Sequence, residues 1–111
     1  MREDGKLDYL ELPGGDLGAV KAFYGAAFGW TFQDYGPTYA AFDQGLDGGF
    51  DADSASDKAL PVLFARDLEA MAARVEAAGG SIVKPIFAFP GGRRFHFRDP
   101  AGNELAVWSE T

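Results

Sequence analysis

The chain repeats itself at a fixed offset. Asp16-Leu17-Gly18-Ala19-Val20-Lys21-Ala22 reads against Asp67-Leu68-Glu69-Ala70-Met71-Ala72-Ala73, 51 residues later. The same offset pairs Leu12 with Leu63, Ala26-Ala27 with Ala77-Ala78, and Gly29 with Gly80. An offset near half of a 111-residue chain implies duplication of one structural unit. Whatever the fold is, it must be built twice.

Both copies share one internal order. Leu7 to Leu12 and Leu60 to Ala65 are short strand-like runs. Asp16 and Asp67 follow where a helix N-cap belongs, accepting from the first free N–H groups. Leu17, Val20, Tyr24, Ala27 and Phe28 then recur at spacings of three and four, which puts them on one helix face, and Leu68, Met71, Val75 and Ala78 do the same. Gly29 and Gly79-Gly80 stop these helices, because glycine accepts the left-handed conformation that ends one. Strands are predicted next over Trp30 to Asp34, Thr38 to Asp43 and Gly48 to Asp51. The second copy repeats this over Ser81 to Phe87, Arg93 to Arg98 and Glu104 to Trp108. Asp99-Pro100-Ala101-Gly102-Asn103 is the turn between the last two strands. The prediction is an α+β fold of two βαβββ modules in tandem within a single domain, 1–111. Module one covers about 6–52, a polar linker about 52–58, and module two about 59–109.

Composition narrows the function. Seventeen Asp and Glu against ten Lys and Arg give a formal charge of −7. The one basic cluster, Arg93, Arg94 and Arg98, is too short for a phosphate-binding surface, so no nucleic-acid partner is expected. No apolar run approaches the roughly 20 residues of a membrane span, and residues 1–10 lack the apolar stretch of a signal peptide. A cytoplasmic protein with no membrane partner is expected. The absence of cysteine excludes disulfides, thiolate nucleophiles and cysteine-held metals. The chain contains no G-x-S-x-G, P-loop or G-x-G-x-x-G motif in a fitting context. The carboxylates from Asp43 to Asp57 lack the register and closing glutamate of a calcium loop.

These motifs resemble a known family. Leu10-Glu11-Leu12-Pro13, Asp16-Leu17, Ala22-Phe23-Tyr24 and Phe28-Gly29-Trp30 are similar to the first module of the vicinal oxygen chelate superfamily, which holds the glyoxalase, bleomycin-resistance and extradiol dioxygenase proteins. Val62-Leu63-Phe64-Ala65-Arg66-Asp67-Leu68, Gly79-Gly80 and Asp99-Pro100-Ala101-Gly102-Asn103 resemble the second. The resemblance implies an open cup of mixed sheets holding a small molecule, and a homodimer. It also assigns four strand positions to metal ligands. Here they carry Tyr9, a glycine at Gly48-Gly49, Leu60 and Ala106, so no metal and no cofactor are expected.

On this resemblance and the alternation of strand faces, the cup-facing, ligand-binding residues are Tyr9, Glu11, Tyr39, Leu60, Val62, Phe64, Arg94, His96, Glu104 and Trp108. Phe95, Phe97, Leu105 and Val107 face the helices instead. His96, the only histidine, and Glu104 and Glu11 are the candidates for acid–base chemistry. Arg94 and Glu104 read either as ligand-binding groups or as a cross-strand ion pair. Three functions stay open. The chain binds a small molecule in a metal-free cup, or it is a small lyase, isomerase or epimerase using an acid–base pair there, or it is a non-catalytic interaction module.

Overall fold

A computed structural model describes residues 2–111. The element order is β1 (Leu7–Pro13), α1 (Leu17–Phe28), β2 (Gln33–Asp34), β3 (Tyr39–Asp43), β4 (Asp47–Asp51), β5 (Leu60–Phe64), α2 (Leu68–Ala77), β6 (Ser81–Phe89), β7 (Gly92–Arg98) and β8 (Glu104–Ser109). This is an α+β fold with the βαβββ order written twice. The repeated aspartates take equivalent places: Asp16 caps α1 by accepting from Ala19 N–H at 3.1 Å, and Asp67 caps α2 by accepting from Ala70 N–H at 3.0 Å. Gly29 ends α1 at φ 73°, a conformation that costs other residues about 1 kcal/mol or more.

Contacts divide the chain into two compact units, residues 9–60 and residues 61–111 together with 2–8. The division does not follow the repeat at the N-terminus. Gly5 N–H donates to Phe64 O and Phe64 N–H to Lys6 O, which ties the opening segment to β5.

In the unit of residues 9–60 the sheet order is β2-β3-β4-β1, with β1 parallel to β4 and the rest antiparallel. Its core is aromatic. Tyr24 of α1 stacks on Trp30 at 4.8 Å between centroids, and Trp30, Phe32, Phe42 and Phe50 pack together beneath the helix. Two expectations are corrected here. The predicted strand over Trp30 to Asp34 pairs with β3 only at Gln33–Asp34, and Trp30 and Phe32 instead seat their rings under the helix. The apolar face of α1 is shorter than its spacing suggests: Leu17, Val20 and Tyr24 are half-buried, while Ala27 is exposed and Phe28 is 64% exposed. Phe28 touches the Tyr24 and Trp30 rings at the edge of this cluster, with centroids 6.0 and 6.3 Å away, and leaves most of its own ring in solvent.

In the other unit the order is β5-β8-β7-β6, with β5 parallel to β8. Helix α2 lies on one face, where Leu68, Phe95, Val107 and Ala65 form the core with Leu63, Met71, Val75, Ile82 and Phe97 packed against it. Phe95, fully buried, contributes about 3–5 kcal/mol by the usual cost of truncating such a ring. The edge strand β6 carries two register shifts, between Ile82 and Lys84 and between Lys84 and Phe87. The second shift contains Pro85, which has no N–H to give a ladder and is tolerated at an edge or a bulge. Together the shifts let Ile82 and Ile86 both reach the helix-side core while Lys84 and Phe87 pair across from His96 and Arg94.

Candidate functional site

Strand register decides which side chains share the face of each sheet turned away from its helix. In the unit of residues 61–111, Val62 pairs with Ala106, Ala106 with His96, and His96 with Lys84. One step along, Phe64 pairs with Trp108, Trp108 with Arg94, and Arg94 with Phe87. These two rows gather five of the expected residues together with Ala106, Lys84 and Phe87. Val62, Phe64, Ala106 and His96 are buried, while Trp108, Arg94, Glu104 and Phe87 keep partial exposure.

Glu104 reaches into these rows diagonally. Its Oε2 lies 2.9 Å from His96 Nδ1, and its Oε1 lies 3.9 Å from an Arg98 nitrogen. Of the two readings given to Arg94 and Glu104, the cross-strand ion pair is corrected. Glu104 stands opposite Arg98 in the ladder and Arg94 stands opposite Trp108, too far along β7 for a cross-strand pair. The Arg94 guanidinium instead lies over the rings of Phe87 and Phe89, at 5.4 and 5.5 Å from their centroids.

Burial sets the charge state of His96. The residue is only 3% exposed, and desolvation of the imidazolium outweighs its hydrogen bond to Glu104. Arg94 and Lys84 push in the same direction as burial, so His96 titrates below its ordinary value of 6.5 and is neutral at pH 7. The carboxylate fixes the tautomer, accepting the proton of Nδ1 and leaving a lone pair on Nε2. Among the described residues that nitrogen is buried without a hydrogen-bond partner. Leaving such an atom unpaired costs about 1–3 kcal/mol.

Trp108 is held from one side by the opening segment. Its Nε1–H donates to Asp8 Oδ2 at 2.9 Å, and the Arg2 guanidinium lies 5.0 Å over its ring while pairing with Asp8. A cavity of about 520 Å³ opens beside this segment, lined by Arg2, Phe64, Arg66, Ser109, Glu110 and Thr111. Of the expected site residues it includes only Phe64.

In the unit of residues 9–60, Ala41, Gly49 and Glu11 form the corresponding row across β3, β4 and β1. Tyr9 and Tyr39 join it. Their hydroxyl oxygens are 2.6 Å apart, and Tyr39 donates to Glu11 Oε2 at 3.4 Å. Burial is the largest cause raising both phenols above their ordinary value, and the negative charge of Glu11 adds to it. Both stay protonated, and Tyr9 donates to Tyr39 in a chain that ends on the carboxylate. Gly49 is the seat of this arrangement, because a Cβ there would clash with the Tyr39 ring and hydroxyl. Leu60, at the start of β5, is half-buried and has no polar atom to add.

The four metal positions implied by the resemblance do not make a metal site. Leu60 and Ala106 have no donor, Gly49 lies under the Tyr39 ring, and Tyr9 is a neutral phenol engaged with Tyr39. Among the described residues no three His, Asp or Glu side chains are grouped to hold an ion.

Lys84, Phe87 and Phe89 were not legible as site residues. The two shifts in β6 break the alternation that would have placed them, and Pro85 is the one local signal of that break.

Comparison with known proteins agrees with this fold. The model of the Glyoxalase/Bleomycin resistance protein/Dioxygenase superfamily matches residues 6–107. Among solved structures, a glyoxalase/bleomycin resistance protein/dioxygenase superfamily member from Vibrio splendidus is 17% identical, with a TM-score of 0.69 over 94% of this chain and 98% of that one. A protein from Legionella pneumophila described as an NAD-dependent benzaldehyde dehydrogenase is 15% identical, with a TM-score of 0.75 over 91% and 96%. The Mn(II)-bound glyoxalase from Novosphingobium aromaticivorans is 27% identical, with a TM-score of 0.62 over 92% of this chain and 37% of that protein. A comparison with curated proteins finds no significant match. Among the described residues no helix is long and apolar enough to cross a membrane.

Proposed function

The chain belongs to the Glyoxalase/Bleomycin resistance protein/Dioxygenase superfamily, and from that premise we propose that it binds a small organic molecule without a metal. The observation that carries this reading is the sheet face of β5, β8, β7 and β6 turned away from α2. It sets partly exposed Trp108, Phe87 and Arg94 beside the His96–Glu104 pair. Apolar surface with a few placed polar groups is what orients a small ligand. The manganese of the Novosphingobium relative has no counterpart in this donor set, since the implied positions offer one neutral phenol and no other side-chain donor.

A thermal-shift screen of a metabolite collection tests the reading. A ligand at about 100 times its Kd stabilises by about 2.7 kcal/mol, which for a domain of this size raises Tm by on the order of 10 °C. The expected result is a compound that does so for the wild type and not for Trp108→Ala. Compounds that stabilise both proteins equally would place binding elsewhere.

The His96–Glu104 hydrogen bond favours a second reading, acid–base catalysis on the same face. A neutral imidazole oriented by a carboxylate is suited to accept a proton near neutral pH. Turnover that depends on His96 and falls as His96 protonates would support it.

A further inference from the structure

We infer that His96 is the specificity-determining group of this face, with Nε2 a fixed hydrogen-bond acceptor that selects neutral ligands carrying one O–H or N–H donor on an apolar body. The inference rests on the binding reading above and deepens it. Its basis is the orphaned Nε2 together with what surrounds it. The ladder neighbours of His96 across β8 and β5 are Ala106 and Val62, and the Phe87 ring stands beside it with centroids 5.8 Å apart. None of these can donate a hydrogen bond. The charged groups facing His96 are Lys84 on β6, Arg94 on β7 and Glu104 on β8, and of these only Glu104 is hydrogen-bonded to the ring.

Glu104 is the positioning residue. Because it accepts the hydrogen bond from Nδ1–H, Nε2 offers only a lone pair, which attracts a donor and repels an anionic oxygen. A ligand group that donates there satisfies a buried atom otherwise left unpaired, and an isostere without the donor does not. Nε2 is buried, so a ligand reaches it by displacing a neighbour. Phe87 is that neighbour, because it is half-buried and follows directly on the irregular stretch of β6.

Long-range proton–nitrogen NMR tests this directly, since a single histidine gives a single set of ring signals. At neutral pH the wild type is expected to carry its proton on Nδ1, and Glu104→Ala to shift population to the Nε2–H form. The probes are benzyl alcohol and ethylbenzene, which have equal numbers of heavy atoms and differ in the donor. Benzyl alcohol should move the Nε2 resonance and ethylbenzene should not. His96→Leu should weaken benzyl alcohol about threefold to tenfold and leave ethylbenzene unchanged, and Phe87→Ala should tighten benzyl alcohol. An Nε2–H tautomer in the wild type overturns the inference, as does equal binding of both probes with Nε2 unmoved, although the second result leaves the binding reading standing. If neither probe perturbs His96, the inference is overturned, while the binding reading stands or falls on the metabolite screen.

Discussion

Glu104 Oε2 lies 2.9 Å from His96 Nδ1, and yet His96 is held below its ordinary pKa. The hydrogen bond alone would raise it. Burial of an imidazole only 3% exposed, with Arg94 and Lys84 adding like charge, wins. The unfolded chain therefore binds a proton near pH 6.5 that the folded chain refuses. Stability should be flat above that pH and fall as pH drops from about 6.5 toward the folded pKa of His96. Glu69 and Asp99 are also held low, by Arg93 and by the Asn103 turn, but their contributions are lost only below their ordinary values of 4.5 and 3.8. Urea denaturation between pH 7.5 and 5 should show the loss in the wild type and not in His96→Leu. A flat profile for the wild type would contradict the burial argument.

Gly49 should tolerate no side chain. Its backbone is not left-handed, so the cost of Gly49→Ala is steric, and the methyl must displace the Tyr39 ring. A loss of about 1–3 kcal/mol is expected from forced overpacking. The double variant Gly49→Ala/Tyr39→Ala should recover most of the steric part. If the single variant is neutral in urea denaturation, Tyr39 does not rest on Gly49 in solution.

The two caps should behave as equals. Asp16→Ala and Asp67→Ala each remove one acceptor from a helix N-terminus and should each cost about 1 kcal/mol. They lie in different compact units and share no partner, so their losses should add. Denaturant midpoints with an unchanged slope would show this. A double variant no worse than either single would mean the caps are not independent.

Local chemistry carried most of the fold into the sequence. Asp16, Asp67 and Gly29 act where they stand, through bonds to residues at most five positions away, so their roles were readable. Strand alternation likewise separated Phe95 and Val107 from His96 and Ala106. What failed to show depends on register. His96 and Glu104 meet diagonally, because the ladder sets His96 opposite Ala106 and Glu104 opposite Arg98. No spacing rule within one strand could give that. Lys84 and Phe87 were hidden for the same reason, since the shifts around Pro85 alter which residues of β6 share a face. The docking of residues 2–8 on β5 is a long-range contact with no local signal beyond its strand propensity.

The most direct test of the central claim uses the two indoles. Trp108 lies on the proposed binding face with its N–H on Asp8, and Trp30 lies in the aromatic core under α1. A metabolite that stabilises the protein is titrated into nitrogen-labelled chain while both indole N–H resonances are followed. The account predicts saturable movement of Trp108 and of the His96 ring signals, with Trp30 unmoved. Movement of Trp30 alone, or saturation of binding with Trp108 and His96 unchanged, would contradict it.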